Sequence, residues 1–235
     1  MAGRLHIAPF DPCRLLPQLD ARAGLITSPN LAPRHNLAIV RHDGERPCLS
    51  HAFWGLTPSW LGVLDHAPHC ARAESLDARR MFREAFASRR ALIPVTGVYV
   101  WKSQPRMKQP FLVTHVERAP LLLAGLWSHY RHDAEVYPNA DGFDSAALIT
   151  VAANALLLPL TDRFPAIVAA HDANRWLDPA TSPDDARALL EPAPLELLGV
   201  FPVSKQVDNP AHQDWTCAHP TGMMQTSRPP APPGL

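Results

Sequence analysis

The chain has 235 residues, and its 26 prolines against 11 glycines cap the length of any uninterrupted helix, which excludes a coiled coil or an all-helical bundle. At 46% hydrophobic and 19% charged residues the chain is not disordered as a whole and can bury the core of one generous domain. Its charge sums to zero, but residues 1 to 118 carry 16 basic against 9 acidic side chains, a balance of +7, and the remainder carries −7.

Strand-length runs begin with Leu37 to Val40 and Cys48 to Trp54. Asp77 to Ser88 then predicts a helix, with Met81, Phe82, Ala85 and Phe86 on one stripe and Arg79, Arg80, Arg83 and Glu84 facing away. Further apolar or alternating runs follow at Arg90 to Ile93, Gly97 to Trp101, Phe111 to Val116, Leu121 to Leu126 and Ala146 to Ala152. His171 to Leu177 and Pro183 to Leu190 open with acidic residues suited to a helix N-terminus, and Leu197 to Val203 is the last predicted strand. Strands broken by isolated helices, without regular alternation, predict an α+β fold. The expected organisation is one domain over residues 1–217 and a Pro-rich extended tail over 218–235.

No apolar run approaches the ~18 residues of a membrane span, and the N-terminus lacks a signal-peptide pattern. A cytoplasmic, monomeric protein without membrane contact is expected. Cys13, Cys48, Cys70 and Cys217 are too few and too scattered for a disulfide framework. His66, His69 and Cys70 lie close in sequence, as do His129 and His132, but neither group shows a paired zinc-ligand pattern. No metal and no cofactor is expected. The segment Arg72 to Arg90 holds six arginines against three acidic residues; it reads either as a solvated helix face or as a local field for phosphates.

Ten short blocks carry a stronger signal when taken in order: Gly3-Arg4, Asn30 to Pro33, Phe53 to Trp60, Ala71 to Glu74, Met81 to Arg83, Gly97 to Lys102, Lys108 to Phe111, Ala124 to Trp127, Asp162 to Pro165 and Pro202 to Lys205. In this series the chain resembles the SOS-response-associated peptidase (SRAP) family, whose domain shields abasic sites in single-stranded DNA. The resemblance spans residues 1 to about 210. It implies a single domain around a curved, barrel-like, mostly antiparallel sheet, and a place in the DNA damage response.

The resemblance also implies a chemistry. In the family an N-terminal cysteine, exposed when Met1 is removed, offers amine and thiol to the aldehyde of an abasic sugar and closes a thiazolidine. An Asn, a Glu and a His hold the site and move protons. Matched position by position, this chain has Ala2 for the cysteine, Cys70 for the Asn, Val100 for the Glu and Thr161 for the His. Ala2 has no thiol, Val100 moves no proton, and the Thr161 hydroxyl does not titrate usefully. Two residual routes to reactivity are the α-amine of Ala2 and the thiol of Cys70.

Positions that the family uses to bind DNA are better kept: Arg4, Arg72 and Arg163 for phosphates, Asn30 in the adjoining loop, and Trp60 as a stacking face. Each has a structural alternative, with Trp60 as a core aromatic and Arg72 and Arg163 as ion-pair partners. The resemblance thus implies a degenerate DNA-binding member whose catalytic positions are replaced. The readings left open beside it are an active cross-linking protein and a metal-binding or protein-interaction module.

Overall fold

A computed structural model describes residues 3–61, 67–104, 107–131 and 142–227. The apolar runs become strands β1 (Leu5–Ile7), β2 (Ser28–Leu31), β3 (Asn36–His42), β4 (Pro47–Trp54), β5 (Cys70–Arg72), β6 (Arg90–Val95), β7 (Gly97–Gln104), β8 (Met107–His115), β9 (Leu121–Tyr130), β10 (Phe143–Ala152), β11 (Arg163–Pro165), β12 (Leu198–Pro202) and β13 (Gln225–Thr226). Helices α1 (Arg80–Ser88), α2 (Ala173–Leu177) and α3 (Pro183–Arg187) are short. The fold is α+β, as the sequence predicts.

One sheet runs in the order β13-β12-β8-β7-β1-β2. The other closes on itself: β4 pairs β3, β3 pairs β6, β6 pairs β9, β9 pairs β10, and β10 returns to β4. The result is a five-stranded barrel, antiparallel except at the parallel β4–β10 seam. Closure removes the exposed edges that an open sheet would present.

Alternate residues of the barrel strands feed two apolar clusters. Ala38, Val40, Leu122 and Leu126 pack with Phe82, Phe86 and Trp176 of the helices. Leu37, Ile39, Leu121 and Leu123 pack with Leu5, Val98, Val113 and Val200 of the other sheet. Both faces are therefore covered, which accounts for strand runs such as Ala146–Ile149 that are apolar without interruption. Gly125 is required where β9 meets β6 and β10: a Cβ there would stand 2.2 Å from Ile93 Cδ1 and 3.0 Å from the Ala147 carbonyl oxygen.

Two expectations are corrected. The helix expected from Asp77 starts at Arg80, because Arg79 is extended and Asp77 instead accepts from the Arg187 guanidinium. The fold also continues beyond residue 217. Gln225 and Thr226 pair with Val200 and Gly199, and the adjacent Met224 packs on the cluster around Tyr99 and Phe201. Residues 228–235 lie outside the described residues.

Candidate nucleic-acid interface

The candidate site is organised by β10, which exchanges partners along its length. Its first half is held between β9 and β4. Its second half takes β5 beside Leu148, Ile149 and Thr150, and β11 beside Thr150, Val151 and Ala152. Arg72 ends β5 directly opposite Thr150, and Arg163 begins β11 opposite Ala152. The two arginines thus flank the same end of β10, with Cys70 and Thr161 two residues away from them on either side.

Their environments differ. Arg163 donates to both Glu74 carboxylate oxygens at 3.0 and 2.8 Å, and also to Thr150 Oγ1 and the Thr150 carbonyl. Its side chain is 12% exposed. This bidentate hydrogen bond holds the Glu74 carboxyl below the usual carboxylate range. Arg163 thus forms an ion pair with Glu74. Arg72 is exposed, and among the described residues its guanidinium makes no hydrogen bond.

Of the four positions that the resemblance matches to chemistry, the structure describes Val100, Cys70 and Thr161. Ala2 lies outside the described residues. Val100 is 4% exposed in β7, where it faces the apolar cluster that also receives Cys70. Burial pushes the Cys70 thiol up to about 12. At pH 7.5 its thiolate fraction is then on the order of 3 × 10⁻⁵, against about a tenth for an ordinary cysteine. Iodoacetamide should accordingly modify native Cys70 on the order of a thousand times more slowly than a cysteine in unfolded peptide. Peptide mapping of a time course checks this, and fast labelling would restore Cys70 as a nucleophile. Thr161 uses its hydroxyl locally, donating to the Arg163 carbonyl at 3.0 Å.

Arg4 and Asn30 stand elsewhere, between the β1–β2 pair and residues 207–212. Asn30 is fully buried. Its Oδ1 accepts from Arg4 Nη1 at 2.7 Å, and its Nδ2 donates to the carbonyls of Val207, Asn209 and His212. Arg4 Nη1 also donates to the Val207 carbonyl. The pair pins a late segment of the chain to the early strands, a structural role that its place in the DNA-facing set does not reveal.

The basic segment divides likewise. Arg90 is buried at 2% exposure, Arg89 pairs with Glu84, and Arg80 stacks 4.3 Å over the Trp60 ring. Trp60 is 40% exposed, so it is a surface aromatic and not a core one. Arg72, Arg79 and Arg83 remain exposed. Sequence reasoning missed Glu74 and Thr150 as the partners of Arg163, although Glu74 lies within a quoted block. The suggested metal groups include His66 and His132, which fall outside the described residues.

The family described as SOS response associated peptidase (SRAP) matches residues 1–210. Among curated relatives, Abasic site processing protein YoaM of Bacillus subtilis is 30% identical over 185 residues, covering 77% of this chain and 79% of the relative. Abasic site processing protein YedK of Escherichia coli is 26% identical over 187 residues, covering 78% and 80%. Crystal structures of proteins from Bacteroides thetaiotaomicron and Bordetella bronchiseptica share the fold at TM-scores of 0.74 and 0.73. Their sequence identities are 20% and 22%; the first comparison covers 84% of this chain and 87% of the other, the second 86% and 99%. By the extent of the family match and the shared fold, this chain belongs to the SRAP family.

Proposed function

We propose that the chain is a degenerate SRAP protein that binds single-stranded or abasic-site DNA reversibly and does not form the family's covalent adduct. One contrast carries this reading. An exposed arginine stands at the β10 end, and Trp60, Arg79, Arg80 and Arg83 supply further exposed cationic and stacking groups, while the positions matched to chemistry hold a buried valine, a half-buried thiol whose pKa is raised, and a locally bonded hydroxyl. Phosphate binding needs only accessible guanidinium groups, whereas closing a thiazolidine needs an amine and a thiol on one residue.

The test is a titration with intact and abasic single strands at low and moderate salt, followed by denaturing electrophoresis. With two or three phosphate contacts, a fourfold rise in salt should weaken binding about 7- to 20-fold. No band should survive denaturation. Absence of binding at low salt would remove the DNA reading, and a denaturation-resistant band with abasic DNA would establish the active alternative in its place.

A further inference from the structure

A second cleft opens at the other end of β10, away from Arg72 and Arg163. It encloses about 490 Å³ beside Arg34, Asn36, His51, Phe53 and Phe143. A neighbouring hollow of about 400 Å³, which shares His51, Phe143 and Asp144, extends it toward Arg41, Trp127 and His129. The combined size suits a small heteroaromatic ligand.

Its chemistry is specific. Asp144 is the single carboxylate among the described lining residues, and it is already engaged by Arg41 at 3.3 Å and His129 at 2.8 Å. A cation would therefore find no unoccupied anionic partner. Arg41 also lies 4.2 Å over the Trp127 ring, and its buried Nε has no partner among the described residues. Arg34 is exposed at the lip, with no side-chain hydrogen bond among the described residues, and it sits in the left-handed region at φ 71°. That conformation costs an L-residue roughly 1 kcal/mol or more, and no local bond of the side chain compensates it. Phe53 and Phe143, both in the lining, meet edge to face at 6.1 Å. His51 Nε2 donates to the Gly24 carbonyl at 3.0 Å, so Nδ1 remains an acceptor. An aromatic wall, an unpaired arginine at the lip and an acceptor beside them match a planar base carrying a phosphate.

We infer that this cleft holds one nucleotide of a bound single strand, with its base against Phe53 and its phosphate on Arg34. The inference rests on the proposed single-strand binding and extends its path. Phe53 precedes Trp54, whose indole donates to the His69 carbonyl next to Cys70, so one strand of the barrel serves both sites. The test titrates short and long oligothymidylates into wild type, Phe53→Ala, Arg34→Asn and Arg72→Ala. Asn tolerates the left-handed conformation, so Arg34→Asn removes the charge without new strain. Both cleft variants should weaken the long oligomer about tenfold and leave the short one, which fills the β10 rim, nearly unchanged. Arg72→Ala should weaken both lengths. Cleft variants that bind the long strand like wild type, while Arg72→Ala does not, would overturn this inference and leave the function intact. A wild type that binds neither length would overturn both. If Phe53→Ala fails to fold, the exposed Arg34→Asn decides by itself.

Discussion

Arg90→Met is expected to lower the unfolding free energy by about 3–5 kcal/mol, more than any surface substitution in the same basic segment. Arg90 begins β6 at 2% exposure and, among the described residues, forms no ion pair with a carboxylate within 4.0 Å. Its guanidinium instead donates to five backbone carbonyls, those of Phe86, Ala87, Trp176, Asp178 and Thr181, at 2.5–3.1 Å. These oxygens belong to the last turns of α1 and α2 and the loop after α2, where helices leave carbonyls without intrahelical donors and the macrodipole is negative. One buried cation therefore caps two helix ends and joins them. Methionine fills similar space but donates nothing, so the carbonyls are left buried and unsatisfied. In a chain of this length each kcal/mol shifts Tm by roughly 2–4 °C, giving a fall of about 10 °C in a thermal melt. Arg90→Lys should recover only part of it, because one ammonium cannot span both helix ends. A loss below about 1 kcal/mol for Arg90→Met would show that water caps these helices equally well.

This result bears on the interface, because α1 carries Arg80 and Arg83 and sets Arg80 over Trp60. The basic surface thus depends on a buried arginine of the same segment. That division was not legible in the sequence, where Arg72, Arg80 and Arg90 are equivalent symbols in one run. What separates them is tertiary: Arg72 ends an outer strand, whereas Arg90 opens a central barrel strand beneath two helices. The same reason hides the role of Arg163, whose partner Glu74 is 89 residues away, and that of Asn30, whose acceptors lie at residues 207–212.

The strands themselves were legible. Apolar runs bounded by turn residues mark a buried ladder whatever its partner, and α1 announces itself by a one-sided stripe. The barrel followed from the family resemblance and not from periodicity, because the β4–β10 seam joins residues about 90 apart through a two-pair parallel contact, and such pairing leaves no local pattern. The three-residue β5, which delivers Cys70 and Arg72 to β10, is likewise too short to register as periodicity. Ordered motif blocks identified that segment where hydropathy did not.

On the proposed reversible-binding function, Ala2→Cys should bring in a denaturation-resistant adduct that the wild-type chain does not leave. With Met1 removed, residue 2 would carry both reacting groups. The amine adds to the abasic aldehyde and expels water to give an imine, and the thiol then adds across that C=N bond, its proton passing to nitrogen. The atoms balance without any further reagent. Rate is a separate matter: positioned acids and bases contribute about 10²–10⁴-fold, and on the proposed reading Val100 and Thr161 supply none. Adduct should therefore accumulate slowly in the single variant. Adding Thr161→His, at a partly exposed position beside Arg163, should speed it more safely than adding Val100→Glu, which would bury a carboxyl at a site 4% exposed and raise its pKa by desolvation. Denaturing electrophoresis over time with abasic single-stranded DNA reads all of these variants. If Ala2→Cys binds the strand yet yields no adduct at long times, the missing thiol is not what silences the site, and the cause lies in how the cleft presents the sugar.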